Sequence, residues 1–202
     1  MKIMFFDTET GDKEAGKADI LQLSYQIIQY PGFKPVKQQN FYFKRERPAS
    51  PEAISVNGLT DDFLAQQVLT PRNVAIKEFL TDLAECTLLV AHCLEFDKGF
   101  IYHTCRRTHY TKRYNKVFGN LQTYDTMKET ADLCRLPFTA PRDYQKTSKY
   151  KYPRLYQLAD FLHIDRTDIN LHDSNSDVLL TVRCFIRLVE TGWINLAPLA
   201  PP

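Results

Sequence analysis

Residues 1–10 of the chain are MKIMFFDTET, and this stretch decides the predicted fold. Lys2 to Phe6 form a short, mostly apolar run that ends at Asp7, which is typical of a buried strand with an acid at its carboxyl end. Because Asp7 and Glu9 are two residues apart, both side chains of an extended chain point to one face of the sheet. Neighbouring carboxylates repel each other, and a divalent cation relieves that repulsion. For such a pair taken alone, a helix cap or a solvated loop is the alternative.

Two further strands are predicted after this one, Ile20 to Tyr30 and Val36 to Lys44, with a Pro31-Gly32 turn between them. Three consecutive strands predict an antiparallel meander. From Pro48 to Thr60 the pattern is irregular. Helices and strands then alternate. The predicted order is a helix capped by Thr70 with Pro71 in its first turn, a strand from Thr87 to Ala91, a helix from about Phe96 to Arg107 and a strand near Gln122 to Thr126. Three more helices follow: one through Cys134, one opened by Pro153, and a last one from about Asn175 to Glu190.

This order of elements predicts an α/β fold with a mixed sheet flanked by helices. A length of 202 residues favours a single domain, residues 1–192, followed by a proline-rich tail, residues 193–202, that ends in an unstructured APLAPP. Hydrophobic residues make up 44% and charged residues 25%, which argues against a disordered or fibrous chain. No apolar stretch approaches the roughly 20 residues that span a bilayer.

The five cysteines contain no C-x-x-C pair, so the sequence indicates neither a disulfide framework nor a zinc ribbon. The amino terminus lacks the apolar run and small-residue cleavage site of a secretory signal. We therefore expect a cytoplasmic protein with reduced thiols. The net charge of +2 is too small to identify a polyanion-binding protein.

Two more stretches carry acids at the ends of predicted elements. Residues 88–97, LLVAHCLEFD, predict a strand, a brief loop and Asp97 in the first turn of a helix. Residues 172–177, HDSNSD, bring His172 and Asp177 together only if His172 lies in the loop before the last helix and Asp177 lies within it, with Ser174 or Asn175 as the cap. Each stretch alone also fits an ordinary helix start.

Two other kinds of site fit less well. A phosphatase of the haloacid dehalogenase type also begins with an apolar strand and an acid, but it needs Asp where this chain has Glu9. A zinc site of His92, Cys93, His103 and Cys105 matches no common ligand spacing.

Together the three acidic stretches resemble the Exo I, Exo II and Exo III motifs of the DnaQ-like 3′–5′ exonucleases, in the DEDDh subgroup with an RNase H-like fold. Asp7 and Glu9 match in FDTET, Asp97 in AHCLEFD, and His172 with Asp177 in HDSNSD. Residues 53–60, AISVNGLT, resemble the family's H-G-I-T loop, and residues 124–127 resemble its D-T strand end. The resemblance covers about residues 1–190. Departures from the family pattern are Cys93 for Asn, Leu94 for a small residue and Asn57 for His.

The resemblance implies an RNase H-like mixed five-stranded sheet and a site for two divalent metal ions held by Asp7, Glu9, Asp97 and Asp177. Oxygen ligands favour Mg²⁺ or Mn²⁺ over zinc. The resemblance also implies that His172 takes a proton from the attacking water and that nucleoside 5′-monophosphates are released from a 3′ end.

Substrate contacts are assigned to Thr8, Thr10, Asn57, Leu59 and Phe96, with Leu59 and Phe96 against the terminal bases; core packing is the alternative for those two. Two basic segments, residues 106–116 and 142–154, hold ten of the 26 basic residues against one acid, Asp143. Interleaved tyrosines in the second segment, Tyr144, Tyr150 and Tyr152, fit a surface that binds a strand, and two solvated loops are the alternative.

The predicted function is a 3′–5′ exonuclease acting on single-stranded DNA or RNA ends, with DNA somewhat favoured and no membrane association. The alternative is a non-catalytic nucleic-acid-binding or scaffolding module that keeps the fold. Residues of the expected type at all five motif positions disfavour that alternative. The sequence leaves open a homodimer and a polymerase partner.

Overall fold

A mixed five-stranded sheet forms the centre of the computed structural model, which describes residues 1–138 and 148–199. The strands are β1 (Lys2–Thr10), β2 (Ile20–Gln29), β3 (Lys34–Tyr42), β4 (Leu88–Ala91) and β5 (Gln122–Asp125). Their order across the sheet is β3-β2-β1-β4-β5. β1, β2 and β3 pair antiparallel, whereas β4 runs parallel to β1 and β5 parallel to β4. The predicted meander and mixed sheet are thus confirmed.

Helices cover both faces of this sheet. They are α1 (Pro51–Asn57), α2 (Asp61–Ala65), α3 (Arg72–Leu83), α4 (Leu94–Arg107), α5 (Thr111–Phe118), α6 (Thr126–Glu129), α7 (Ala131–Cys134), α8 (Leu155–Phe161) and α9 (Ser174–Glu190), with a 3₁₀ turn at Ala197–Leu199. Within the described ranges, no helix has the length and apolar character needed to cross a membrane.

β1 is buried on both faces, and the alternation of its side chains between the two faces decides which of them meet which helix. Met4 and Phe6 pack into a cluster with residues of α3 and α4, such as Phe79. Ile3 and Phe5 pack on the other face with residues of α9. Because the side-chain period of a strand is two, Asp7 and Glu9 continue the face that meets α9, and Thr8 continues the face that meets α4. The acids of β1 and α9 are therefore brought to one side of the sheet.

β1 extends beyond the apolar run that predicted it. Its pairing with β2 continues through Glu9, opposite Gln22, to Thr10, opposite Ile20. Asp7 and Glu9 therefore lie within a hydrogen-bonded strand, which fixes the direction of both side chains.

The prediction of an irregular segment from Pro48 to Thr60 is wrong, because it contains α1. The Ser50 hydroxyl accepts a hydrogen bond from the Ala53 N–H, Pro51 occupies the first turn, and Gly58 ends the helix at φ 69°. These are the start and stop signals of a short helix. Part of the first basic segment, residues 106–116, likewise forms α5 rather than a loop.

Two predicted caps and part of the tail also differ. Thr70 does not cap α3, because Pro71 takes the N-cap position without a side-chain hydrogen bond. Asp173, rather than Ser174 or Asn175, caps α9. Ile194 and Leu196 of the predicted tail are buried in the α9 cluster, since apolar side chains favour burial, and the first half of APLAPP forms the 3₁₀ turn. Residues 200–202 lie outside the described ranges.

Candidate active site

A cavity of about 790 Å³ lies where β1 and β4 end, and it collects the five predicted site residues. Asp7 and Glu9 reach it from β1, Asp97 from the first turn of α4, and His172 and Asp177 from the start of α9. Asp97 and Asp177 follow Asp7 by 90 and 170 residues along the chain, and the three side chains nevertheless meet in one cavity, as the sequence predicted.

Asp97 is held against β1 by Thr8. The Thr8 N–H and hydroxyl both donate to Asp97 Oδ1, at 3.1 and 2.6 Å. Asp97 is 2% exposed, so these bonds orient an otherwise desolvated carboxylate. The Thr8 hydroxyl, predicted to contact substrate, donates a hydrogen bond to Asp97, and Thr8 is among the residues that line the cavity. Thr10, also predicted to contact substrate, is buried and donates to the Asp12 carbonyl, at 2.8 Å, and is not among the residues lining the cavity.

Asp125, at the end of β5, sets the position of α4, and the site prediction did not include it. Its two carboxylate oxygens accept from the N–H groups of Cys93 and Leu94, at 3.2 and 3.1 Å. The same carboxylate accepts from the Met127 N–H, at 3.0 Å. Cys93 has φ 76°, so this acid stabilises a left-handed turn just before the helix that carries Asp97. The signal in the sequence that could have identified Asp125 was the resemblance of residues 124–127 to the D-T strand end of the family.

His172 and Asp177 converge in the way the sequence predicted. His172 lies in the loop before α9, and its backbone N–H donates to Asp177 Oδ2 at 3.1 Å. The imidazole is exposed, and ligand atoms of Glu9, His172 and Asp177 all lie within 4.8 Å of one another. The second Asp177 oxygen, Oδ1, is buried without a hydrogen-bond partner.

All four carboxyl groups have raised pKa values. Burial raises the pKa of Asp7 well above its usual range, and the charges of Asp97, Asp177 and Glu9 raise it further. Burial is also the main reason that the pKa of Glu9 is raised to about 9, although a hydrogen bond from Asn57 opposes the shift. The pKa of Asp97 is raised to about 8 and that of Asp177 to about 7, again mainly by burial. The four groups therefore resist simultaneous ionisation.

These features fit divalent metal ions. None of the ion pairs among residues 1–138 and 148–199 involves one of the four acids. Asp177 Oδ1 has no hydrogen-bond partner, as expected of an oxygen that serves as a metal ligand. Hard oxygen ligands suit Mg²⁺ or Mn²⁺. Asp7, Glu9, Asp97 and Asp177 would hold the ions.

His92 anchors one wall of the cavity. Its Nδ1 lies 2.9 Å from the Thr126 hydroxyl and its Nε2 lies 3.1 Å from the Pro153 carbonyl oxygen. Burial lowers the pKa of His92 to about 4, so the ring is neutral and donates from Nε2 to Pro153. The segment 151–156 is thereby fixed at the edge of the site. Within the described part of the chain, the group with metal-ligand spacing is Glu9, His172 and Asp177, so the structure gives no support to the zinc site at His92 and Cys93.

The other predicted substrate residues differ in exposure. Phe96 lines the cavity. Leu59 is 3% exposed and packs with Leu21 and Leu64, so the structure supports the core-packing alternative for it. The Asn57 amide bridges the Thr10 carbonyl and the Leu59 N–H, at 3.1 and 3.0 Å, and fixes the turn after α1.

The two basic segments lie at different ends of the sheet. Lys151 and Arg154 line the acidic cavity. Another cavity is lined by Lys112, Arg113 and Lys116 of α5 together with residues that precede β4 and β5. It therefore lies at the end of the sheet where β4 and β5 begin, opposite to the acidic cavity. Only the second segment thus lines the acidic cavity, and strand binding by the first segment stays a prediction. Arg142, Tyr144 and Lys146 lie outside the described residues.

We expect divalent metal to stabilise the protein, and more so at high pH. The folded-state pKa values of Asp177, Asp97 and Glu9, about 7, 8 and 9, exceed the ordinary values of 3.8 and 4.5. The metal-free fold therefore binds these protons more tightly than the unfolded chain, and this stabilisation is lost progressively as pH rises from about 4 to the folded-state values of about 7 to 9. Bound metal replaces it, and millimolar Mg²⁺ or Mn²⁺ should raise Tm by about 5–10 °C at pH 8.5.

The measurement is a pair of thermal melts, with metal and with chelator, at pH 6 and pH 8.5. A larger metal-induced rise in Tm at the higher pH is the expected result. A Tm that does not respond to either metal would contradict a carboxylate metal site.

Comparison with known proteins agrees with this geometry. A family model described as an exonuclease, RNase T, matches residues 4–185, nearly the whole chain. The DNA polymerase III subunit epsilon of Haemophilus influenzae is 25% identical over 159 residues, which are 78% of this chain and 53% of that protein. The chain thus spans about half the length of this curated relative.

Solved structures with the same fold include exonuclease I of E. coli in complex with a dT13 oligonucleotide, at a TM-score of 0.74 and 17% identity, covering 94% of this chain and 41% of that one. A moderately thermophilic exonuclease I from Methylocaldum szegediense matches at a TM-score of 0.71 and 17% identity, over 94% of this chain and 40% of that one. The RNase H-like fold and the family resemblance are both confirmed. With its acids in one cavity and its family model matched from residue 4 to residue 185, the chain belongs to the RNase T exonuclease family.

Proposed function

We propose that the protein is a metal-dependent 3′–5′ exonuclease that releases nucleoside 5′-monophosphates from single-stranded nucleic-acid ends. The observation that carries the proposal is the meeting of four carboxylates and one exposed imidazole in a single cavity. The 3′–5′ direction rests on the resemblance of the three motifs to those of the DEDDh exonucleases.

Each residue has a separate task in this proposal. Asp7, Glu9, Asp97 and Asp177 would hold the metal ions, and Thr8 fixes the orientation of the Asp97 carboxylate. Divalent ions bound there would supply activation of the attacking water and neutralisation of charge on the attacking and leaving oxygens. His172 is exposed at the cavity and close to Glu9 and Asp177, where its imidazole takes a proton from the attacking water.

The cavity also offers contacts for a nucleotide. Phe96 and Tyr156 supply aromatic surface on which a base can stack, and Lys151 and Arg154 supply positive charge for phosphates. We favour DNA over RNA because the epsilon relative is a subunit of a DNA polymerase and exonuclease I binds a dT13 oligonucleotide.

Product analysis tests this function. Matched DNA and RNA strands, single and double, each with a label at the 5′ end, are incubated with the protein and Mg²⁺ or Mn²⁺. We expect ladders that shorten from the 3′ end and free 5′-mononucleotides, fastest with single-stranded DNA. Strand binding without release of mononucleotides in either metal would instead support a non-catalytic nucleic-acid-binding or scaffolding module.

We also propose a polymerase as the class of protein partner, because the epsilon relative is by name a polymerase subunit. Co-elution of the purified chain with a DNA polymerase on a sizing column tests this proposal. The same column, run at two protein concentrations, tests the homodimer.

The basic segment beside the site gives a prediction about strand binding. Replacing Lys146, Lys149 and Lys151 with Gln should weaken strand binding and flatten its salt dependence, because each lost phosphate contact reduces the slope by about 0.7 for a single strand. Turnover at saturating strand should change little. The measurement is a salt titration of binding to a labelled strand in Ca²⁺.

The matched control is Lys112, Arg113 and Lys116 replaced together with Gln, since these residues lie at the opposite edge of the sheet. We expect a smaller loss of affinity in the control. Equal affinity and equal salt slope in both variants and the wild type would leave the second segment as a solvated loop.

A further inference from the structure

The sheet face beside the acids is polar where a strand pair would usually bury apolar side chains. On β2, Gln22 lies directly opposite Glu9 and Ser24 directly opposite Asp7. Both β2 side chains are 0% exposed. Because residues paired across strands project from the same face, Gln22 and Ser24 are the lateral neighbours of the two acids.

These two side chains bind the start of α9. Gln22 Nε2 donates to Asp173 Oδ1 at 2.6 Å, and Gln22 Oε1 accepts from the Ser174 N–H at 3.3 Å. The hydroxyls of Ser24 and Ser174 lie 2.6 Å apart. Gln22 therefore uses both ends of its amide to hold the N-cap residue of α9 and the residue after it.

The next strand supports this arrangement. Asn40 on β3 accepts hydrogen bonds from both Gln22 and Ser24, each at 3.0 Å, and the Tyr42 hydroxyl lies 3.2 Å from Gln22 Nε2. A buried polar network that is satisfied in this way is rigid, and it permits one arrangement of its members.

The helix start that Gln22 holds adjoins two residues of the site, His172 in the loop before α9 and Asp177 in its first turn. Asp173 lies between His172 and Asp177, and its carbonyl accepts the Asp177 N–H at 2.9 Å. His172 is tied to Asp177 through its own N–H. The distance between the acids of β1 and those of α9 is thus set through β2.

We propose that Gln22 is a positioning residue for the reaction: through Asp173 and Ser174 it holds His172 and Asp177 at the working distance from Asp7 and Glu9. The inference rests on the proposed function. Gln22 does not touch the cavity, so its effect passes through the residues that it orients. Partners of this kind typically alter metal affinity or activity by about 10- to 100-fold when they are replaced.

The test compares Gln22→Leu with Gln26→Leu. Gln26 is also buried on β2, on the same face, but its side chain forms no hydrogen bond with the described residues. We expect Gln22→Leu to lower kcat by about 10- to 100-fold with little change in KM for the strand, whereas Gln26→Leu keeps kcat close to that of the wild type. Assays are run well below the Tm of each variant.

A second measurement does not depend on turnover. The Mg²⁺ concentration that gives half of the rise in Tm should increase about 10-fold in Gln22→Leu and stay unchanged in Gln26→Leu. If Gln22→Leu does not fold, Gln22→Asn provides the same test, because it keeps an amide that is too short to reach both groups.

A double-mutant cycle separates positioning from general stability. If Gln22 acts through Asp173 and Ser174, combining Gln22→Leu with Asp173→Ala should lower kcat by less than the product of the two single effects. Unchanged kcat and metal response in Gln22→Leu, or equal losses in Gln26→Leu, would overturn the inference while the wild type still degrades strands. A wild type that releases no mononucleotides would overturn the proposed function, and the metal response would still report on Gln22.

Discussion

The Asp7→Ala protein is expected to fold normally and to release no mononucleotides above the uncatalysed background. The charges of Asp97, Asp177 and Glu9 all raise the pKa of Asp7, which shows that Asp7 lies near the other three acids. In the proposed site, its removal would take away one of the four metal ligands. It also relieves repulsion among buried carboxylates, so the metal-free Tm should stay the same or rise.

The experiment measures mononucleotide release, circular dichroism and Tm with and without Mg²⁺. Asp7→Asn, which preserves the shape of the side chain, should give the same loss and should also remove most of the metal-induced rise in Tm. Asp12→Ala is a matched control, because Asp12 lies just beyond β1 and is not among the residues lining the cavity. Full activity in a folded Asp7→Ala protein would contradict the site assignment.

His172→Ala should lower turnover by roughly 10²- to 10⁴-fold, the range for a positioned proton acceptor, and should leave metal affinity nearly unchanged. The imidazole is exposed in the loop before α9, and its position is set by a backbone bond to Asp177. Removing the ring leaves the four carboxylates in place. Turnover and the metal-induced rise in Tm are therefore expected to separate in this variant.

The pH profile gives a second readout of His172. A general base makes turnover depend on pH, so the pH profile of turnover in His172→Ala should differ in shape from that of the wild type. His163→Ala is the matched control, since His163 and His172 are both exposed with a positive φ, 55° and 66°, but His163 lies outside the cavity. Near-normal turnover in His172→Ala, or a loss of metal affinity in place of rate, would contradict the general-base role.

Local patterns in the sequence determined the central sheet and the acids. The apolar run before Asp7 predicted β1, and the two-residue spacing placed Asp7 and Glu9 on one face, because a strand repeats every two residues. The loop position of His172 and the first-turn position of Asp97 followed from helix starts. Motif order then predicted that these side chains meet. Such features depend on neighbouring residues, so a single sequence carries them.

Contacts across long stretches of chain were decided only by the tertiary structure. Gln22 binds Asp173, which is 151 residues away, and no pattern around either residue indicates that bond. Packing against Leu21 and Leu64 buried Leu59, which the motif alone suggested for substrate. The parallel crossover between β4 and β5 carried α5 and its basic residues to the far edge of the sheet. Periodicity specifies which face of an element is apolar, whereas the partner that covers that face is chosen by the packing of the whole chain.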